Sequence, residues 1–332
     1  MALKGSLRGL LGTVAGAAVG GWFFHRMPVS ALLSSWRQMH PAWLLCSLAS
    51  CAAMLTVRSA KWRRLLVDSG HDRGTAQAVR SLLGSYTLGT LTPGRLGDLA
   101  RCAFVSEPTR KIVLQLTLID RLFDMIAVLT FAAASCVFLV SKLAGFAALS
   151  IWLGACIWVS RKGLLRLDNL AWCPQRFHQS LRNFAGTLRS VRHGRYAAWA
   201  LAASLCDLLT LMFLLRAFHQ PTLLAAFVAY PWLTLASGSP VSLGGLGPRE
   251  GVSALIFTSF SISATAALNV SLLFFGFTLL IPSLAGGVWL LGGSVVAGLA
   301  LIKQKTSLLL RAWESLLPTT GKILPGISRE LD

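Results

Sequence analysis

Acidic residues are scarce in this chain: 12 Asp and Glu stand against 31 Lys and Arg in 332 residues, and all charged residues together make up 13%. A soluble domain typically carries about 25% charged residues, so this chain cannot coat a water-facing particle of its size. A cytosolic globular enzyme is thereby excluded. The chain also lacks the alternation of short strand and helix patterns from which a soluble catalytic domain is built. No CxxC, HExxH or DxD spacing occurs, and the seven cysteines and six histidines are scattered singly, which argues against a metal site, a redox centre or a metal-bound nucleotide sugar. No metal or other cofactor is expected. The cysteines read as small apolar residues.

What the chain has is hydrophobic length. Some 55% of its residues are hydrophobic, arranged in apolar runs at about 7–24, 42–60, 112–140, 143–160, 196–216, 222–238, 252–267 and 268–302. Runs of this kind predict seven to nine membrane helices in an all-α polytopic protein forming one integral membrane domain over 1–332. The last run exceeds one straight crossing, and Pro282 with Gly286 and Gly287 near its middle predicts a kink or break. The first run reads as a retained helix, because its exit His25-Arg26-Met27-Pro28 lacks a small-residue cleavage site. Its stripe Gly12, Ala15, Gly16, Ala17 and Gly20 suits either a homodimer contact or close packing within one chain.

The net charge of +19 reads as topology rather than nucleic-acid binding, since no interleaved basic and aromatic platform accompanies it. Arg58, Lys61, Arg63, Arg64, Arg73 and Arg80 crowd one connection and Arg161 to Arg195 another, and Lys303 and Lys305 follow the last run. Placing these on the cytoplasmic side gives a multi-pass protein of a bacterial inner membrane with both termini cytoplasmic. Within the connection at about 161–195, Phe177, Leu181, Phe184 and Leu188 recur at helical spacing, as in an interfacial or bundle-packed amphipathic helix. A cytoplasmic tail is expected over 303–332.

Two segments interrupt the pattern with glycine and charge, residues 85–105 and 235–252. Both flanks of the first lie on the basic side, so it is expected to re-enter from the cytoplasm. The second is either a pair of thin spanning helices or a hairpin entering from outside. In the hairpin case the two broken segments face each other as an inverted repeat. Helix ends freed at membrane depth bind anions, so Gly94, Arg95, Gly97, Asp98 and Arg101 form one candidate seat for a lipid phosphate. Gly245, Gly247, Arg249 and Glu250 form a second, with Arg249 the first choice for a phosphate contact. Glu250 has three open roles: neutralising an arginine, capping a helix, or carrying a proton.

Each of these charges also has a structural reading. Asp98 can pair with Arg101 and Arg121 with Asp124 at helical spacing, Asp120 and Asp124 share a helix face, and Asp207 suits an arginine partner. Buried pairs of this kind often do no more than fix register.

The motifs RSAKWRRLL (58–66), PGRLGDLAR (93–101), DRLFD (120–124) and GGLGPREG (244–251) together resemble the lysylphosphatidylglycerol synthase transmembrane family, also described as flippase-like, over nearly the whole chain. The resemblance implies a lipid translocator and no enzymatic activity of its own, because aminoacyl transfer in full-length synthases belongs to a separate soluble domain. It implies as a partner an anionic phospholipid, a hopanoid or a polyprenyl-linked lipid, while a lipid-modifying enzyme is the partner expected of a non-transporting scaffold. Its site residues map onto Gly94, Arg95, Gly97, Asp98, Arg101, Arg121, Asp124, Gly245, Gly247, Arg249 and Glu250. Pro248 departs from the family pattern and removes one N–H donor. Two other functions fit the residues: a membrane transferase using Asp98 or Glu250, and a non-transporting scaffold anchored by the basic connection.

Overall fold

A computed structural model describes residues 34–71, 74–92, 96–104, 110–139, 145–147, 149–152, 154, 184–188, 191–220, 223–239 and 245–291. The run 7–24 with its small-residue stripe, most of 143–160, most of the basic connection 161–195 and the tail 303–332 lie outside the described residues, as do Gly94 and Arg95.

Among the described residues every regular element is a helix. Helix α1 (Pro41–Asp68) starts with proline in its first turn, where the missing N–H costs nothing. Its 28 residues span about 42 Å at 1.5 Å per residue. The helix continues through RSAKWRRLL, so Arg58 and Lys61, expected in a connection between helices, stand inside α1. Helical spacing turns Lys61, Trp62 and Leu65 inward, all buried, while Arg63 and Arg64 face outward. Acidic partners on other helices make that burial tolerable.

Helix α2 (Gly74–Leu91) is followed by a 3₁₀ helix (Leu96–Phe104) that folds back against it. The two arms form a hairpin, with the break falling after Leu91 and the helix running unbroken through Gly84 and Gly89. Gly97 sets the closeness of the two arms: a Cβ there would lie 2.1 Å from the Leu88 carbonyl.

Helices α3 (Arg110–Leu139) and α4 (His193–Ala217) follow. Then come α5 (Leu223–Ser237), α6 (Pro248–Thr258), α7 (Ala264–Phe275), a π-helical turn at Gly276–Leu280, and α8 (Ile281–Leu291). Pro41–Asp68, Arg110–Leu139, His193–Ala217 and Ala264–Leu290 are long and apolar enough to cross a membrane. Helices α5 and α6, of 15 and 11 residues, reach only about 22 and 16 Å, short of the ~30 Å hydrocarbon core. They pack on each other, which favours the hairpin over two thin spanning helices.

Two boundaries in the last third differ from the apolar runs. Residues 252–267 are not one helix: α6 stops at Thr258, Ser261 adopts φ 59°, and the Ser263 hydroxyl accepts from the Ala266 N–H at 3.2 Å to begin α7. The Ser263 hydroxyl is thus the N-cap of α7. Nor does the helix break at Pro282. The chain widens by one π turn just before the proline and continues into α8, which gives the ring room against the carbonyl of the preceding turn.

The buried side chains separate into two clusters. One gathers around Trp62, Leu82, Tyr86, Leu116 and Tyr196, at the end where α1 finishes and α4 begins. The other gathers around Leu211, Leu215, Tyr230, Phe257 and Val270, toward the end where the His40 N–H meets the Ala217 carbonyl at 3.0 Å.

Candidate functional site: buried ion pairs and a cleft between two apolar cores

Among the described residues, five cations (Arg58, Lys61, Arg101, Arg121 and Arg249) are paired with five carboxylates within the bundle, and each of these cations has a carboxylate within 3.3 Å. At membrane depth an isolated charge costs several kcal/mol, so such groups persist only when paired. The first group joins three elements. Lys61 on α1 lies between Asp120, at 2.9 Å, and Asp124, both on α3. Asp120 also accepts from Arg101 of the 3₁₀ helix at 2.7 Å, and Arg121 reaches back to Asp98 at 3.3 Å. The Arg101 guanidinium lies 4.7 Å over the Trp62 ring, a cation–π contact that covers its remaining face.

The partners are therefore not those that helical spacing suggested. Asp98 and Arg101 each bridge to α3 instead of closing on one another, and Asp124 goes to Lys61. In the 3₁₀ helix Asp98 and Arg101, three residues apart, share one face, and that face meets α3, where Arg121 and Asp120 take them as partners. Lys61 explains the change at Asp124: it is 1% exposed and sits against both carboxylates of one α3 face.

The second group surrounds a small cleft. Gly245 (φ 83°) and Gly247 (φ 95°) take up the left-handed backbone that lets the chain turn into α6. Glu250 then caps the helix, its Oε2 accepting from the Gly247 N–H at 2.7 Å, while its Oε1 binds the guanidinium of Arg249. Of the three roles open to Glu250, the first two are thus filled together. Arg249 donates further from Nε to the Ser271 hydroxyl at 3.0 Å and lies 4.7 Å over Phe275.

Across the cleft, Arg58 of α1 binds Asp207 of α4 at 2.7 Å and donates to the Tyr86 hydroxyl at 2.6 Å. Arg58, Asp207, Thr234, Ser237, Arg249 and Thr278 all line this cleft of about 30 Å³. Arg58 keeps a buried Nε–H with no acceptor among the described residues.

Of the residues singled out by sequence, Gly97, Asp98, Arg101, Arg121 and Asp124 thus belong to the first group, and Gly245, Gly247, Arg249 and Glu250 to the second. Arg58 and Lys61, read as connection residues, and Asp207, read only as an arginine's partner, are the additions. Their signal was present in the chain: Arg58, Lys61, Trp62 and Leu65 recur at 3–4 residue spacing on one face, which a cytoplasmic connection has no reason to maintain.

Comparison with curated proteins finds no match. The family model described as "Lysylphosphatidylglycerol synthase TM region" matches residues 9–286, and with its all-helical, multi-pass membrane architecture the chain belongs to that family, a membrane protein of lipid metabolism or translocation.

Proposed function

We propose that this protein translocates a lipid across the bacterial inner membrane, with both of its termini cytoplasmic, by passing the head-group phosphate through the cleft between Arg58 and Arg249. The observation that carries the proposal is that cleft. Two arginines from different elements line it with three hydroxyl side chains, between two separate apolar cores. Each arginine is held by one carboxylate, a partner that a phosphate can replace with charge-assisted, bidentate contacts of the same kind. The unsatisfied Arg58 Nε–H supplies a further donor, and Thr234, Ser237 and Thr278 offer hydroxyls.

A cleft of about 30 Å³ admits a water but no head group, so this arrangement is the closed state of the site. Opening requires the α5–α6 hairpin to move against α1 and α4. The acyl chains would remain in lipid outside the bundle, so only the head group needs a polar path. A transferase is the weaker reading, since its two candidate carboxylates, Asp98 and Glu250, are each engaged by an arginine.

Purified protein in vesicles containing a phospholipid with a fluorescent acyl chain, read by quenching of the outer leaflet, tests the proposal. The paired variants Arg58→Gln/Asp207→Asn and Arg249→Gln/Glu250→Gln remove a cation together with its anion, so no buried charge is stranded. Each is expected to remain folded and to slow translocation at least tenfold, whereas Leu255→Ala on the exposed face of α6 leaves the rate unchanged. Normal rates in both paired variants would refute the role of the cleft.

A further inference from the structure

The spanning helix Ala264–Leu290 is divided by the π turn at Gly276–Leu280, and its two halves are fastened to different neighbours. Before the turn, α7 is held to α6: the Ser253 hydroxyl donates to the Ala267 carbonyl at 3.0 Å, and Arg249 donates to the Ser271 hydroxyl at 3.0 Å. After the turn, the helix is held to α2. There the Thr87 hydroxyl donates to the Ser283 carbonyl at 2.7 Å, and the Ser283 hydroxyl donates to the Tyr86 carbonyl at 2.8 Å. A Cβ on Gly286 would lie 2.2 Å from the Leu83 carbonyl, so α8 and α2 pack backbone to backbone. The apolar cores divide at the same place, with Val270 and Phe274 in one and Leu279 in the other. Thr278 and Leu279 of the turn line the cleft between them.

The turn also leaves the Phe277 carbonyl outside the helical ladder. The Ile281 N–H bonds the Gly276 carbonyl, five residues back, and is therefore not given to Phe277, its partner in an α-helix. The next donor of a π ladder would be residue 282, and proline has no N–H. A carbonyl at membrane depth needs a partner, and this one finds it on another helix: the Cys51 thiol of α1 donates to it at 2.9 Å. A thiol is a weak donor, so the bond holds the turn and is easily released.

We infer that the π turn at Gly276–Leu280 is the hinge on which the cleft opens, with Cys51 as the positioning residue that holds it closed. The α5–α6 hairpin carries α7 with it through the bonds of Ser253 and Arg249, while α8 stays on α2. The displacement between them falls on the turn. As Cys51 lets go, the Ile281 N–H passes from Gly276 to Phe277, its α-helical partner, and the wide turn moves toward α7. The Phe277 carbonyl thus has a partner in both positions, the thiol when the hinge is closed and a backbone N–H when it is open. That the motion admits a head group rests on the translocation reading, whereas the hinge and its catch do not.

Hydrogen–deuterium exchange of the full chain in lipid nanodiscs, read by mass spectrometry on peptides covering 274–283, tests the hinge. Cys51→Ala removes the donor and is expected to raise exchange there about fivefold, the equivalent of about 1 kcal/mol for one hydrogen bond. Cys51→Ser keeps a donor and should return exchange to the unmodified level or below. Pro282→Ala restores an N–H to the ladder, and in that background Cys51→Ala should add about twofold or less. Peptides of α3 serve as the internal reference, and thermal stability with elution position establishes that each variant is folded.

Unchanged exchange at 274–283 in Cys51→Ala, or an equal rise over α3, would overturn the inference. So would a serine variant no better than the alanine one, or a Cys51→Ala effect that persists in full beside Pro282→Ala. The vesicle assay separates the two readings. Raised exchange in Cys51→Ala with normal translocation in both paired arginine variants would keep the hinge and remove the head group, and arginine-dependent translocation with unchanged exchange would do the reverse.

Discussion

Lys61→Met is expected to destabilise the protein by about 3–5 kcal/mol, the cost of removing one partner from a buried ion pair, and to leave little folded material in the membrane. The magnitude follows from what remains. Lys61 is the shared partner of Asp120 and Asp124. Without it, Asp120 keeps only Arg101 and Asp124 loses the cation it contacts. Methionine has nearly the right length and no charge, so the loss is electrostatic rather than a cavity.

Denaturant or thermal unfolding in detergent gives the measurement, and a double-mutant cycle locates its cause. Lys61→Met/Asp124→Asn removes the stranded carboxylate and leaves the Arg101–Asp120 pair whole, so at least half of the lost stability should return. A single variant as stable as the unmodified protein would show that the Lys61 contacts contribute nothing net. A double variant no better than the single would show that its role is steric.

Gly245→Ala is the second large effect, expected to cost about 3 kcal/mol or more from two sources. The residue sits at φ 83°, where a side chain costs about 1–3 kcal/mol. Its Cβ would also lie 2.4 Å from the Ser237 Cα, and backbone atoms at the end of α5 cannot rotate away as a side chain could. The α5–α6 hairpin must open to accept the methyl group. Gly251→Ala is the matched control: the same change six residues on meets no atom within 4 Å and falls inside α6, where alanine is the better helix former by about 1 kcal/mol. Thermal stability should fall sharply in the first variant and hold or rise slightly in the second. Equal behaviour would remove Gly245 from the residues that shape the cleft.

The sequence made the membrane class and several of the helices legible because apolar length is a strong, local signal: the runs 112–140, 196–216 and 222–238 coincide closely with α3, α4 and α5. It was weaker where a charge is compensated by something distant. Arg58 and Lys61 look like the end of a membrane helix because their partners lie 149, 59 and 63 residues away, and no local pattern reveals a contact of that range. The same holds for Asp98 and Arg121, whose partners were sought at helical spacing and are found across elements. The glycine motif 244–251 was readable as a site because its chemistry is self-contained: the cap, the arginine and the carboxylate lie within four residues of one another. What it could not disclose is the opposite wall of the cleft.

The pairing of the buried charges has an electrical consequence. Arg58, Lys61, Arg101, Arg121 and Arg249 carry five positive charges, and Asp98, Asp120, Asp124, Asp207 and Glu250 carry five negative ones, so these groups sum to zero. Moving one elementary charge through the membrane field takes about 2.3 kcal/mol per 100 mV. A hairpin that rocks with its pairs intact carries no gating charge from these residues, so the transmembrane voltage gains no hold on them. Any voltage dependence contributed at this site must come from the charge of its cargo.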